Sequence, residues 1–175
     1  KDLGFMRYFL GLEIARNESG ILLNQRKYVL DILTDLKMEN CCTTPFPLAK
    51  GLELSTVTGE KLENPEQYSR LIGRLLYLSL TRPDISFSVQ HLSQFIHDPR
   101  LPHWQAAIHV IKYLKGTINV GLFYSSYSSL VLNAYCDADW GKCAFSSRSV
   151  SGYAIFLSSL LISWKTKKQR TVSKS

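Results

Sequence analysis

The stretch Asn64–Ile85, NPEQYSRLIGRLLYLSLTRPDI, decides how the rest of the chain is read. Asn64 is a good N-cap and Pro65 suits the first helical position. Glu66 places an acid in the first turn, where the helix dipole favours it. Tyr68, Leu71, Ile72, Leu75, Leu76 and Ser79 then share one stripe at helical spacing. Arg70 and Arg74 lie one turn apart on another side. Arg82-Pro83-Asp84 breaks this helix and opens another, in which Ile85, Val89, Leu92 and Ile96 repeat. The centre of the chain is therefore helical, with apolar faces that need partners.

Towards the C-terminus, HDPRLPHW (97–104) is a second break. A helix from Pro102 to about Leu114 is expected to bury Trp104, Ala107, Ile108 and Ile111. Lys112 and Lys115 sit near its C-terminus, where cations suit the dipole, and Gly116 is a natural cap. Beyond residue 125 the pattern changes. LVLNAYCD, SVSGYAIFLSS and LLISWKT are strand-like runs parted by polar turns. Towards the N-terminus, MRYFLGLEIARNESGILLNQRKYV (6–29) reads as a hairpin, with turn chemistry at Asn17–Gly20. A helix follows over Gln25–Lys37, with Tyr28, Val29, Ile32, Leu33 and Leu36 in phase. Residues 40–64 carry Pro, Gly, Ser and Thr without periodicity and read as a long connection.

The chain has 175 residues, 45% of them hydrophobic and 20% charged, a globular composition. No apolar run approaches the ~18 residues of a membrane span, and no signal peptide is evident, so an intracellular protein of cytoplasm or nucleus is expected. Cys41, Cys42, Cys136 and Cys143 form no C-x-x-C pair and read as reduced thiols. The histidines at 91, 97, 103 and 109 step by six, so they share no helix face. The net charge is +7, and residues 1–40 balance at six basic and six acidic. The excess lies in residues 67–129, at +4, and 130–175, at +5, which points to a polyanion partner.

Two motifs could carry chemistry. Asp137 and Asp139 are two apart at a strand end and so share a face. Carboxylates suit hard cations such as magnesium, and two-metal phosphodiester hydrolysis uses several of them. A pair alone is not a complete site, and on the residues alone an acidic loop or turn is the favoured account. SWKTKKQR places Lys165, Lys167, Lys168 and Arg170 beside Trp164. Such a cluster can track a phosphate backbone, or can simply be a solvated strand end.

Six stretches in order then carry a resemblance: YFLGLEI, GILLNQRKYVLDIL, YSRLIGRLLYLSLTRPDISFSV, AAIHVIKYLKGT, AYCDADWG and SVSGYAIFL…LISWKTKKQ. Together they closely resemble the polymerase polyprotein of copia-type LTR retrotransposons over essentially the whole chain. The resemblance implies an α+β fold in three parts. Residues 1–24 would end the palm and form a primer-grip-like hairpin that includes Phe9, Leu10 and Gly11. Residues 25–125 would be the reverse transcriptase thumb and connection. Residues 130–175 would open a ribonuclease H-like domain with its first three antiparallel strands. Asp137 matches that domain's first catalytic acid and a magnesium ligand; Asp139 belongs to the same motif with a less defined role. WGKCAFSSRS departs from the family's usual tryptophan–alanine–glycine loop. The expected partners are an RNA–DNA hybrid or template–primer duplex and the remainder of the polyprotein. Arg70, Arg74, Lys112, Lys115, Lys165, Lys167 and Lys168 form the pool of expected nucleic-acid contacts. The polymerase aspartates would precede Lys1, and the ribonuclease H glutamate would follow a TVSKSS-like stretch beyond Ser175. Residues 1–175 alone are therefore expected to be inactive. A non-enzymatic nucleic-acid-binding remnant and a decayed reading frame are the alternative readings.

Overall fold

The computed structural model describes residues 5–139 and 149–169. Three short strands open the chain: β1 (Tyr8–Phe9), β2 (Leu12–Asn17) and β3 (Gly20–Asn24). Four helices follow: α1 (Arg26–Asp35), α2 (Pro65–Leu78), α3 (Ser86–Leu92) and α4 (Leu101–Gly116). Then come β4 (Leu122–Ser125), β5 (Leu132–Asp139), β6 (Val150–Leu157) and β7 (Leu160–Lys168). The strands form two antiparallel sheets, ordered β1-β2-β3-β4 and β5-β6-β7. The architecture is α+β. The turn WGKCAFSSRS with Cys143, and the segment from Arg170 onward, lie almost wholly outside the described residues.

α2 begins as its residues dictate: the Asn64 side chain accepts from Gln67 N at 3.1 Å, and Pro65 is the first helical residue. Its buried face is Tyr68, Leu71, Ile72, Leu75 and Leu78. Leu76, expected on that stripe, is 39% exposed. At 100° per residue Leu76 falls well off the stripe's centre, while Leu78 stays nearer. The core joins this face to Val29, Ile32 and Leu33 of α1, to Ile85, Val89, Leu92 and Phe95, and to α4.

α4 is rotated from the sequence expectation. His103, Ala106, Ala107, Val110, Ile111 and Leu114 are buried, whereas Trp104 and Ile108 are only half-buried. The imidazole goes inside because its polar atoms are satisfied there. His103 Nδ1 accepts from Arg100 N at 2.9 Å, Nε2 lies 3.0 Å from Ser55 O, and the ring stacks 3.9 Å from Phe95. That pairing also ties down the long connection. Arg100 donates to Thr56 O and Gly59 O, and Lys115 Nζ donates to Cys41 O at 2.6 Å.

The Arg-Pro-Asp break is a clamp. Arg82 is 2% exposed. It grips Asp84 through Nε and NH2, at 2.9 and 2.7 Å, and reaches Thr117 O and Oγ1 at 3.0 and 2.6 Å. Tyr113 donates to Asp84 Oδ2 at 2.8 Å. Burial alone would raise the Asp84 pKa, but the bonds and charge from Arg82 and the Tyr113 bond hold it below its ordinary value. The corner between α2 and α3 is thereby fastened to the end of α4.

After α4 the chain returns to the first sheet, where β4 pairs with β3 from Gly20↔Ser125 to Leu23↔Leu122. The hairpin and the helices thus close on one another. The second sheet leans on the helices through β7. Trp164 Nε1 donates to Ser79 O at 3.1 Å, Lys168 Nζ to Gln94 Oε1 at 3.0 Å, and Tyr124 OH to Leu161 O at 3.2 Å. No described residue of this sheet is buried, and β5 is exposed from Leu132 to Ala138.

Candidate nucleic-acid interface

α2 presents its open face away from the core. Arg70 is exposed and has no ion pair among the described residues. Arg74 is occupied: its NH1 lies 2.5 Å from Asp35 Oδ2, and its guanidinium sits 5.4 Å over the Tyr28 ring. One turn apart in sequence, the two arginines thus play different parts. Between them Gly73 is exposed, and a Cβ added there would meet nothing within 4 Å. Glycine in a helix interior costs about 1 kcal/mol against alanine. No packing among the described residues explains it. The sequence reading passed over Gly73, although an isolated glycine in a strong helical pattern was a visible signal.

The remaining cations divide by place. Lys112 and Lys115 are half-buried near the end of α4, and Lys115 is turned onto the long connection. Lys165 and Lys167 are exposed, whereas half-buried Lys168 is bonded to Gln94. Residues directly opposite in neighbouring strands share a face. Register pairs Tyr153 with Lys165 and Ser151 with Lys167, so these two lysines line one face of the sheet. Asp137 is opposite Gly152, which is opposite Thr166, on the other face. The acid and the two free lysines therefore do not converge.

Asp137 is exposed on the outermost strand, and its Oδ1 accepts from Ala138 N at 2.9 Å. Asp139 closes the same strand, with its backbone opposite Val150. Magnesium takes an octahedral shell of oxygens, usually with several waters. Among the described residues no group of three or more His, Cys, Asp or Glu could hold a metal ion. The described residues by themselves do not make up a magnesium site.

At the hairpin tip, Leu10 and Gly11 have φ of 46° and 80°. Phe9 and Leu10 are 51% and 71% exposed. Among the described residues no helix is long and apolar enough to cross a membrane.

No family model matches the chain, and no solved structure does. Curated proteins do. An uncharacterized mitochondrial protein of Arabidopsis thaliana is 41% identical over the whole chain, which spans 72% of that protein. The retrovirus-related Pol polyprotein from transposon RE1 of Arabidopsis thaliana is 42% identical, again over the whole chain. The corresponding Pol polyprotein from transposon TNT 1-94 of Nicotiana tabacum is 34% identical over the whole chain. The chain spans only 12% and 14% of those two polyproteins. Matching these relatives along its full length, it belongs to the copia-type retrotransposon Pol polyprotein family.

Proposed function

We propose that this chain is the thumb and connection of a retrotransposon reverse transcriptase followed by the opening strands of its ribonuclease H domain. In that reading residues 1–24 end the palm and supply the primer-grip-like hairpin. Residues 25–125 hold template–primer duplex or RNA–DNA hybrid, and residues 130–175 begin the nuclease. The parent polyprotein copies RNA into DNA and degrades the RNA of hybrids. Asp137 contributes one carboxylate towards magnesium-dependent hydrolysis, with the other donors supplied elsewhere in the polyprotein.

The observation that carries the reading is the relation to Pol polyproteins along the full chain. The open α2 face around Arg70 and Gly73 supports it, because a bare glycine beside an unpaired cation suits a closely approaching phosphate backbone. A second reading, a nucleic-acid-binding remnant without catalysis, draws on length alone: the chain spans 72% of the mitochondrial relative.

The test is hybrid binding by fluorescence anisotropy across a salt series. Binding should be weakly sequence-dependent and fall linearly on a log–log plot. Arg70→Ala should lower the slope by about one unit, whereas Arg74→Ala, already paired with Asp35, should lower it less. Absence of binding at about 50 mM salt, where phosphate contacts are strong, would refute the proposal.

A further inference from the structure

The hairpin tip is costly as built. Leu10 is a branched residue at φ 46° and 71% exposed, so it bears left-handed backbone strain without burying its side chain. Such strain persists only where surrounding structure holds it, and it gathers at functional sites. What holds this turn is Tyr77. Its hydroxyl donates to the Leu10 carbonyl, and a Cβ added at Gly11 would lie 3.3 Å from that same hydroxyl. The Tyr77 ring packs edge-on against Tyr28 at 5.2 Å. Tyr28 in turn lies under Arg74, which is paired with Asp35. Tyr77 is one turn beyond Gly73 on α2.

We propose that Tyr77 is a positioning residue that sets the Leu10–Gly11 tip in register with the open face of α2, so that both engage one duplex near a strand end. This rests on the function proposed above. A helix face alone would grip any duplex along its length. A tip held at a fixed offset from that face adds a contact that only a correctly placed end can meet. Tyr77 touches no nucleic acid in this scheme; it acts through the Leu10 carbonyl.

The test compares the intact chain, wild type and Tyr77→Phe, on two hybrids of equal length, one blunt and one with a recessed 3′ end. Phenylalanine keeps the ring contact with Tyr28 and removes only the donor. Wild type should prefer the recessed end. Tyr77→Phe should lose most of that preference, by about fivefold, with blunt-duplex affinity and salt slope unchanged, since no phosphate contact is removed. Amide exchange at Gly11 and Leu12 should quicken in the same variant. Gly11→Ala, which strains the φ 80° turn and crowds the phenol, should reproduce the loss. An unchanged end preference in Tyr77→Phe overturns the inference, whatever happens to exchange. Wild type that binds both hybrids alike also overturns it, while leaving the proposed hybrid binding intact. Wild type that binds neither overturns both.

Discussion

Replacing Gly73 with alanine should raise stability and weaken binding together. The position is interior to α2, its φ is not in the left-handed region, and an added methyl meets nothing within 4 Å. The helix-propensity gain of about 1 kcal/mol is then not offset by a clash. For a chain of this size that corresponds to a Tm rise of roughly 2–4 °C. The cost falls on the complex. Forcing a methyl into a close-packed contact costs about 1–2 kcal/mol, or roughly five- to thirtyfold in affinity. Circular-dichroism melts and hybrid anisotropy at one fixed salt concentration measure the two effects on the same preparation. Gly73→Leu should bind more weakly still. If Gly73→Ala binds hybrid as tightly as wild type, nothing approaches this face closely and α2 is not the contact. A fall in Tm would instead show that the position is not open.

Three further outcomes follow from the packing. Asp84→Asn removes the counter-charge of the buried Arg82, which keeps Thr117 and the Tyr113 ring as neutral partners, and should lower the urea-unfolding free energy by about 2–3 kcal/mol, somewhat less than a fully buried pair because Asp84 is 30% exposed. The Asp84 pKa is depressed in the fold, so its contribution is complete above the ordinary carboxylate value near ~3.9. It is lost as pH falls through the lower folded value, and an acid titration of the variant should lack that component. Burial holds His103 and His91 below the ordinary imidazole value, aided at His91 by the charge of Lys168. The unfolded chain therefore takes up their protons first, and stability should decline as pH falls through about 6.5. His103→Gln, though less stable overall, should show a flatter urea midpoint between pH 8 and pH 5.5. Limited proteolysis should cut first between Ser126 and Val131, where Tyr127 and Leu130 are 83% and 88% exposed; first cleavage inside α2 would contradict the assignment of the core.

The sequence by itself determined the helices, most of the strands and most of the core, but neither β4 nor the turn at Leu10–Gly11. Asn64, Pro65 and the spacing from Tyr68 to Leu75 specify α2, because capping and 3.6-residue periodicity are local physics. The strand runs were legible for the same reason, and the ordered stretches sufficed for the family. Tertiary structure decided what depends on neighbours. The rotation of α4 turned on whether His103 could satisfy both ring nitrogens inside, and its partners Arg100 N and Ser55 O come from a cap and a loop. The sequence could rank Arg70 and Arg74 only as equals. Asp35, 39 residues away, pairs with one and leaves the other open. Likewise β4 closes on β3, and Tyr77 reaches Leu10, across sequence separations that periodicity does not see. Residue type and spacing set what each side chain can do; the fold's long-range contacts set which of them remain free to do it.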